Sequence, residues 1–268
     1  MEGLPKVSIV TPSLNQGQFI ERTILSVLNQ NYPNIEYIVM DGGSTDNTKE
    51  IIKKYQDRLI WKSEPDKGQS EAINKGFRMA MGEIFAWLNS DDTYKADTIR
   101  TAVMCLGKNS QIDMLYGNGH LIDEEDNVIG EYKSTPLDLR ACLYHGKINI
   151  FQPSVFFRKR VFQQIGPLDE NLHITMDIDY WIRIAMCGLN TTKINQPLAN
   201  LRWHRGTKTW QTMGLHRKYH LLLLKKYGVG PYLFFLIVHI VLANIKRLVF
   251  GNKMSLNRKN EGGQNFRN

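Results

Sequence analysis

The sequence predicts an α/β protein in which a mostly parallel sheet is flanked by helices, and three observations predict it. Apolar runs of strand length alternate with helical periodicity from Val7 to Asp92. Three of those runs end in clusters of polar, turn-forming residues, at Pro12–Asn15, Asp41–Ser44 and Asn89–Asp92. The charged and apolar fractions, 22% and 42% of 268 residues, are those of a globular chain rather than a disordered one.

Val7-Ser-Ile-Val10 reads as a buried strand ending at Thr11-Pro12, and Phe19, Ile20, Ile24, Val27 and Leu28 then fall on one helical stripe within Phe19–Asn29. The unit repeats as a strand at Ile35–Met40, a loop Asp41-Gly-Gly-Ser-Thr-Asp46 and a helix over Asn47–Tyr55. A third strand is predicted at Arg58–Lys62, a helix near Ser70–Ala80, and a fourth strand at Ile84–Leu88. Strands that alternate with helices pair in parallel through right-handed crossovers, and ligands of such sheets gather beyond the carboxyl ends of the strands. After about residue 110 the alternation loosens. Asp113–Asp123 and Val128–Ser134 read as a β pair turning at Glu124-Glu-Asp-Asn127, and Pro153–Arg158 as another strand.

Lys and Arg exceed Asp and Glu by eight, but the excess is unevenly placed. Fourteen of the 34 basic residues lie between Asp179 and Glu261, where no acid occurs, which leaves the remainder acidic by six. A basic block can serve nucleic acid, an anionic membrane surface or substrate phosphates, and its apolar neighbours favour the last two over nucleic acid. Cys105, Cys142 and Cys187 are far apart and odd in number, without zinc or disulfide spacing, which points to a reducing compartment. The opening Met-Glu-Gly-Leu-Pro-Lys lacks the apolar core of a signal peptide, so the body is expected in the cytoplasm.

Three places carry chemistry. Asn89-Ser90-Asp91-Asp92 could hold a hard divalent cation through oxygen ligands, or could be a polar turn capping a helix that starts near Lys95. Asp41-Gly42-Gly43-Ser44 is open to the same two readings, a ligand loop or a tight turn with a capping hydroxyl. Near Thr175-Met176-Asp177-Ile178-Asp179 two acids open a helix; either could act as a base, and Asp179 also suits the helix dipole. Trp181 and Ile184 read as core, and Arg183 as the partner of an acid.

Taken in order, these motifs resemble glycosyltransferase family 2, whose nucleotide-sugar-binding fold is called GT-A. The likeness runs over about residues 6 to 210 and is weakest across 110 to 150. Pro12-Ser13-Leu14-Asn15 stands where the family has a Pro-Thr-Tyr-Asn-like turn, and Asp41-Gly42-Gly43-Ser44-Thr45-Asp46 where it has Asp-Asp-Gly-Ser-Thr-Asp. The resemblance implies that Pro12, Ser13, Asn15, Asp41, Gly43 and Ser44 surround the nucleotide. A carboxylate at Asp41 can accept the imide N–H of uracil, which favours a uridine donor. Asp66-Lys67-Gly68-Gln69-Ser70 is similar to the loop flanking the nucleotide, giving roles to Asp66 and Gly68; alternatively the stretch is a helix entry with Ser70 capping.

Asn89-Ser90-Asp91 takes the place of the family's Asp-x-Asp motif, so Asp91 is the expected ligand of Mn²⁺ or Mg²⁺, with Asn89, Ser90 and Asp92 beside the donor. Asn89 departs from the family's first Asp: its amide can hydrogen-bond a ribose hydroxyl but brings no charge. Asp177 aligns with the family's base and Asp179 is the other candidate, with Met176 standing where Glu is usual. Leu201-Arg202-Trp203-His204-Arg205-Gly-Thr-Lys208 is similar to a stretch that follows the last strand, which implies a metal or phosphate contact at His204 and phosphate contacts at Arg202 and Lys208. A lone histidine can equally be structural.

Tyr232–Ile245 is nearly uninterrupted apolar sequence, shorter than the roughly 20 residues a spanning helix needs. Phe234, Phe235, Val238, Leu242 and Ile245 share a face, with Lys225, Lys226, Lys246 and Arg247 flanking, as in an interfacial helix or a helix packed on the body or a partner. The expected organisation is a GT-A unit over 1–215, with a nucleotide half to about 110 and an acceptor half over 111–215, followed by a membrane-associating segment over 216–268. The expected function is inverting, metal-dependent transfer of a sugar from a UDP-type donor to a hydroxyl of a glycan, lipid-linked and destined for a bacterial surface polysaccharide, at the inner face of the cell membrane. The resemblance alone supplies the polysaccharide role. A competing reading is a sugar-nucleotide-binding or scaffold protein of a membrane complex, for which Asn89 and Met176 speak. A nucleotide-dependent oxidoreductase is disfavoured because no Gly-x-Gly-x-x-Gly follows the first strand.

Overall fold

The computed structural model describes residues 3–145, 148–204, 206–207, 222–223 and 225–227. The first half follows the predicted alternation: β1 (Val7–Ser13), α1 (Ile20–Leu28), β2 (Ile35–Asp41), α2 (Thr48–Lys53), β3 (Ile60–Ser63), α3 (Gln69–Met79) and β4 (Ile84–Trp87). β1 lies between β2 and β4 and is parallel to both, with Ser13 opposite Asp41 and Val10 opposite Trp87. The chain therefore winds to one side of β1 and returns on the other. The crevice beyond the carboxyl ends of β1 and β4 is the topological switch point where such sheets bind ligands.

β1 is buried along its whole length because both faces are covered. Ile9 packs with Ile20, Ile24 and Val39 on one face, whereas Val10 packs with Ile38, Phe77 and Trp87 on the other, the period-two alternation of a strand. α3 approaches β1 so closely at Gly76 that a Cβ there would come within 2.4 Å of Val10 Cγ1.

The second half corrects the expectation of a mostly parallel sheet. β5 (Thr93–Tyr94), α4 (Thr98–Lys108), β6 (Met114–Ile122), β7 (Val128–Tyr132), α5 (Leu139–His145), a 3₁₀ turn at Gln152–Ser154, β8 (Phe156–Arg158), α6 (Lys159–Ile165), α7 (Met176–Met186) and β9 (Thr191–Arg202) complete it. The strand order is β3-β2-β1-β4-β8-β6-β9-β5, with β7 on β6. Pairings of β8 with β4 and β6, of β7 with β6, and of β5 with β9 are antiparallel, so the sheet is mixed. The turn after β4 does not lead directly into a helix as expected at Lys95. Thr93 and Tyr94 first pair with Asn200 and Ala199, and α4 starts at Thr98.

An aromatic cluster fixes α7 on the sheet. Trp181 stacks on Trp87 with centroids 5.5 Å apart, and Tyr180 meets Trp87 and Phe157 edge-on or tilted. Cys142 is buried, Cys105 half-buried and Cys187 exposed. Among the described residues no helix is long and apolar enough to cross a membrane, and the stretch Tyr232–Ile245 lies outside them. Residues 222–227, assigned to the tail from the sequence, include Leu223, which is buried with Cys142 and Ile182, so the packed body continues past residue 215.

Candidate active site

A cleft of about 410 Å³ opens at the switch point, within the range of small-molecule sites. β1 contributes Pro12 and Ser13; the loop before α3 contributes Asp66 and Gly68; the turn after β4 contributes Asn89, Ser90, Asp91 and Asp92. α7 contributes Met176 and Asp177, and the end of β9 contributes Arg202. Residues from five segments of the sequence thus meet at one opening.

The turn after β4 divides its two acids between tasks. Asp92 is buried: its Oδ1 accepts the Arg202 backbone N–H at 3.0 Å and its Oδ2 accepts from Asn89 Nδ2 at 3.1 Å. Burial, with the Asp91 charge next to it, pushes Asp92 well above the usual carboxylate range. Asp92 therefore braces β9 and Asn89 instead of reaching a ligand. Asp91 is half-buried, the more accessible of the two, and its Oδ2 lies 3.2 Å from His204 Nε2. His204 rests on the Phe19 ring at 4.6 Å between centroids, and its Nδ1 accepts the Gly206 N–H at 3.2 Å.

Asp91 would supply a carboxylate ligand to Mn²⁺ or Mg²⁺, and His204 would join it through Nε2 once that nitrogen gives up the proton it directs at Asp91 while Nδ1 accepts from Gly206. Among the described residues no group of three or more His, Cys, Asp or Glu is arranged to hold a metal, so the chain would supply two ligands.

Several assignments from the sequence are redistributed. Asn89 is held by amide contacts, accepting from Gln69 Nε2 at 2.6 Å and donating to Gln152 Oε1 at 3.3 Å. Arg202 is fully buried and spends its fork on protein: Nε donates to Asp91 O at 2.9 Å, one terminal nitrogen to Asp123 O at 2.7 Å, and the other to the Asp126 carboxylate. It braces the Asp91 turn and is not a phosphate hand. Asp41 is buried behind the cleft, its oxygens accepting from Gly43 N–H, Ser44 N–H, Ser44 Oγ and Ser63 Oγ. A carboxylate has about four acceptor sites, so Asp41 is saturated and orders its loop. Ser44 Oγ in turn accepts the Asn15 N–H at 2.8 Å, and Asn15 adopts a left-handed φ of 53°. Asn15, Asp41, Gly43 and Ser44 shape the wall without lining it.

Asp66 lines the cleft, and Gly68 N–H donates to its Oδ1 at 2.8 Å. Partial burial raises its pKa. Gly68, at φ 134°, precedes α3 and is its N-cap; Ser70 does not cap. The Ser70 hydroxyl is inside, donating to Leu172 O and Met176 Sδ. Lys208 and Arg205 lie outside the described residues.

The two candidate bases separate. Asp177 sits at the start of α7 and lines the cleft, accepting the Ile178 N–H at 2.8 Å. Asp179 is fully buried away from the cleft, held by Arg183 Nε at 2.9 Å, Lys226 Nζ at 2.8 Å and the Tyr227 hydroxyl at 2.5 Å. Its catalytic assignment is corrected on that ground. Gln16, Gln69, Gln152, His173 and Thr207 also line the cleft and were not singled out from the sequence. His173 had one available signal, its position four residues before Asp177. Gln69 had its place in the Asp66–Ser70 stretch, whereas Gln16 and Gln152 had no signal, because isolated amides are common surface residues.

The family model described as glycosyl transferase family 2 matches residues 8–166. An uncharacterized glycosyltransferase of Rickettsia typhi is 32% identical over 191 residues, covering 67% of this chain and 58% of its own length. The chain therefore spans little more than half of that relative. The structure of S. aureus TarS residues 1–349 in complex with UDP-GlcNAc superposes with a TM-score of 0.62 at 18% identity, covering 75% of this chain and 60% of that one. The mannosyltransferase PcManGT from Pyrobaculum calidifontis, in complex with GDP-Man and Mn²⁺, gives a TM-score of 0.63 at 18% identity over 94% of this chain and 81% of that one. At such identities the two structures establish a shared fold.

Proposed function

The chain belongs to glycosyl transferase family 2, and we propose that it inverts the anomeric carbon while moving a sugar from a UDP-type donor to a hydroxyl of a lipid-linked glycan, in bacterial surface polysaccharide synthesis. The observation that carries this reading is a cleft at the switch point of the sheet lined by both Asp91 and Asp177, with His204 Nε2 3.2 Å from the Asp91 carboxylate. Inversion takes one displacement. The acceptor oxygen forms a bond to the anomeric carbon, its proton passes to a carboxylate, and the bond to the diphosphate breaks. Asp177 is the cleft acid for that proton. Asp91 and His204 would hold Mn²⁺ or Mg²⁺, whose charge would support the leaving diphosphate. Asp66 is the cleft acid for the nucleotide side, where its remaining oxygen can accept an imide N–H. Of the sequence assignments, Pro12, Ser13, Gly68 and Ser90 contribute cleft wall.

Residues 1–215 with the packed continuation to Tyr227 form the catalytic unit in this reading. The basic, apolar stretch beyond holds it at the inner face of the cell membrane, supported by its composition. The test is calorimetric binding of a panel of UDP- and GDP-sugars, followed by hydrolysis and transfer with Mn²⁺ and with EDTA. Binding of a UDP-sugar, turnover that EDTA abolishes, and loss of both in Asp91→Ala are expected. Full transfer in EDTA without added cation sinks the metal assignment. Tight donor binding with no hydrolysis or transfer sinks the enzyme reading in favour of a sugar-nucleotide-binding scaffold.

A further inference from the structure

Asp169 and Asp179 bracket the segment that brings His173, Ile174, Met176 and Asp177 to the cleft, and one ammonium group joins the two brackets. Lys226 Nζ lies 2.7 Å from Asp169 Oδ2 and 2.8 Å from Asp179 Oδ1. The Tyr227 hydroxyl donates to the same Asp179 oxygen at 2.5 Å. On the other oxygen Arg183 Nε donates at 2.9 Å, while its remaining nitrogens hold Ile165 O at 2.7 Å and Pro167 O at 2.9 Å. Leu223, fully buried against Cys142 and Ile182, anchors the short run that carries Lys226 and Tyr227.

Tyr180 and Trp181 fix the rotation of α7 on the sheet, and Lys226 adds a tie to the loop that enters it. Thr175, its N-cap residue, makes no side-chain capping bond. Ser70 meets the loop and the first turn from one side, through Leu172 O and Met176 Sδ, and the Asp179 cluster lies on the other. Without Lys226, Asp179 keeps Arg183 and Tyr227 but loses the ammonium that ties it to Asp169, which frees the loop between the two acids.

We infer that Leu223, Lys226 and Tyr227 form a clasp that positions the 169–179 segment, so that the orientation of Asp177 depends on a stretch of chain some fifty residues downstream. Asp179, Lys226 and Tyr227 are positioning residues, and the inference rests on the reading of Asp177 as the base.

The test compares Lys226→Met, Lys226→Arg and Tyr227→Phe in the full chain, with kcat and donor dissociation constant measured alongside hydrogen exchange of the 169–179 amides. In Lys226→Met, kcat should fall about tenfold, as for a misplaced catalytic group, and donor affinity should stay within about twofold. Exchange over 169–179 should quicken, and Lys226→Arg should restore most of both signals. If Lys226→Met does not fold, Tyr227→Phe, which deletes one hydroxyl, carries the same test with a smaller loss of about threefold. A folded Lys226→Met with wild-type kcat and exchange overturns the clasp, and so does a Lys226→Arg no better than Met. A wild-type chain that transfers no sugar, while exchange still quickens in the variant, overturns the proposed function and leaves the clasp standing.

Discussion

Arg202→Met should destabilise the protein before it affects any ligand. The guanidinium is fully buried, with donors placed on Asp91 O, Asp123 O and the Asp126 carboxylate, and it lies 5.0 Å from the Phe19 centroid. Removing one partner of a buried, hydrogen-bonded ion pair costs about 3–5 kcal/mol. The lower end applies here: the Asp126 side chain is 45% exposed and keeps Arg22 at 2.9 Å, so its charge is not stranded. At roughly 2–4 °C per kcal/mol for a chain of this size, Tm should fall by about 6–12 °C. Arg202→Lys should recover little of this, because an ammonium cannot reproduce the planar fork. Thermal melts in parallel with donor titrations measure both effects. A variant with wild-type Tm and donor affinity weakened about tenfold would refute the brace and restore Arg202 as a direct phosphate contact.

Asp177→Asn should keep donor binding and lose about 10²-fold or more of kcat, since an amide keeps the shape but takes no proton; near-normal turnover would remove Asp177 from the chemistry. Asp66 gives a pH signature. Burial raises its pKa, so the folded state favours the neutral acid; the stability it contributes is complete below the ordinary value of about 4 and is lost as pH rises through the raised folded value. Asp66→Asn removes that loss, and its stability relative to wild type should increase over this window in urea melts at pH 4 and 7; a constant difference contradicts the burial effect. A chain ending at residue 228 retains the clasp and loses Tyr232–Ile245, so it should keep turnover of a short soluble acceptor while losing anionic vesicles in sedimentation. Basic residues near such a surface contribute about 1 kcal/mol each, and high salt should release the full chain only partly because the apolar contribution is unscreened. Full-length protein left in the supernatant at low salt would place the apolar stretch against protein instead.

The legible part of the fold was the part made by local periodicity. β1, β2 and β4 are largely apolar because each is covered on both faces, the polar Ser8 and Glu36 within them being bonded to each other, and α1 and α3 carry one apolar stripe each. β5 and β9 were not legible as strands. Thr93–Tyr94 is two residues long, and β9 begins with Thr191-Thr-Lys-Ile-Asn-Gln, whose pairing is set by β6 across the sheet and not by any alternation of its own. In the site, the polar clusters that end β1 and β4 lie at the cleft, whereas the one that ends β2 stands behind it, its carboxylate taken up by its own loop. Residue type could not say which oxygen faces inward. Asp91 and Asp92 are chemically identical neighbours, and only the Arg202 backbone N–H and the Asn89 amide assign the second to the interior.

The two acids of α7 show where a further step from sequence was available. Successive residues of an α-helix turn by about 100°, so residues two apart point in directions about 160° from one another, and Asp177 and Asp179 could not both face one cleft. Arg183 lies four residues beyond Asp179 and on the same helical face, which marks Asp179 as the paired acid and Asp177 as the one facing elsewhere. The remaining choice, which face meets the ligand, follows from Trp181 and Tyr180. Their stacking and edge contacts with Trp87 fix the rotation of α7 on the sheet, and that rotation carries Asp177 to the opening while burying Asp179 with its cations. Aromatic packing one turn away, together with the cations around Asp179, leaves Asp177 as the α7 acid that lines the cleft.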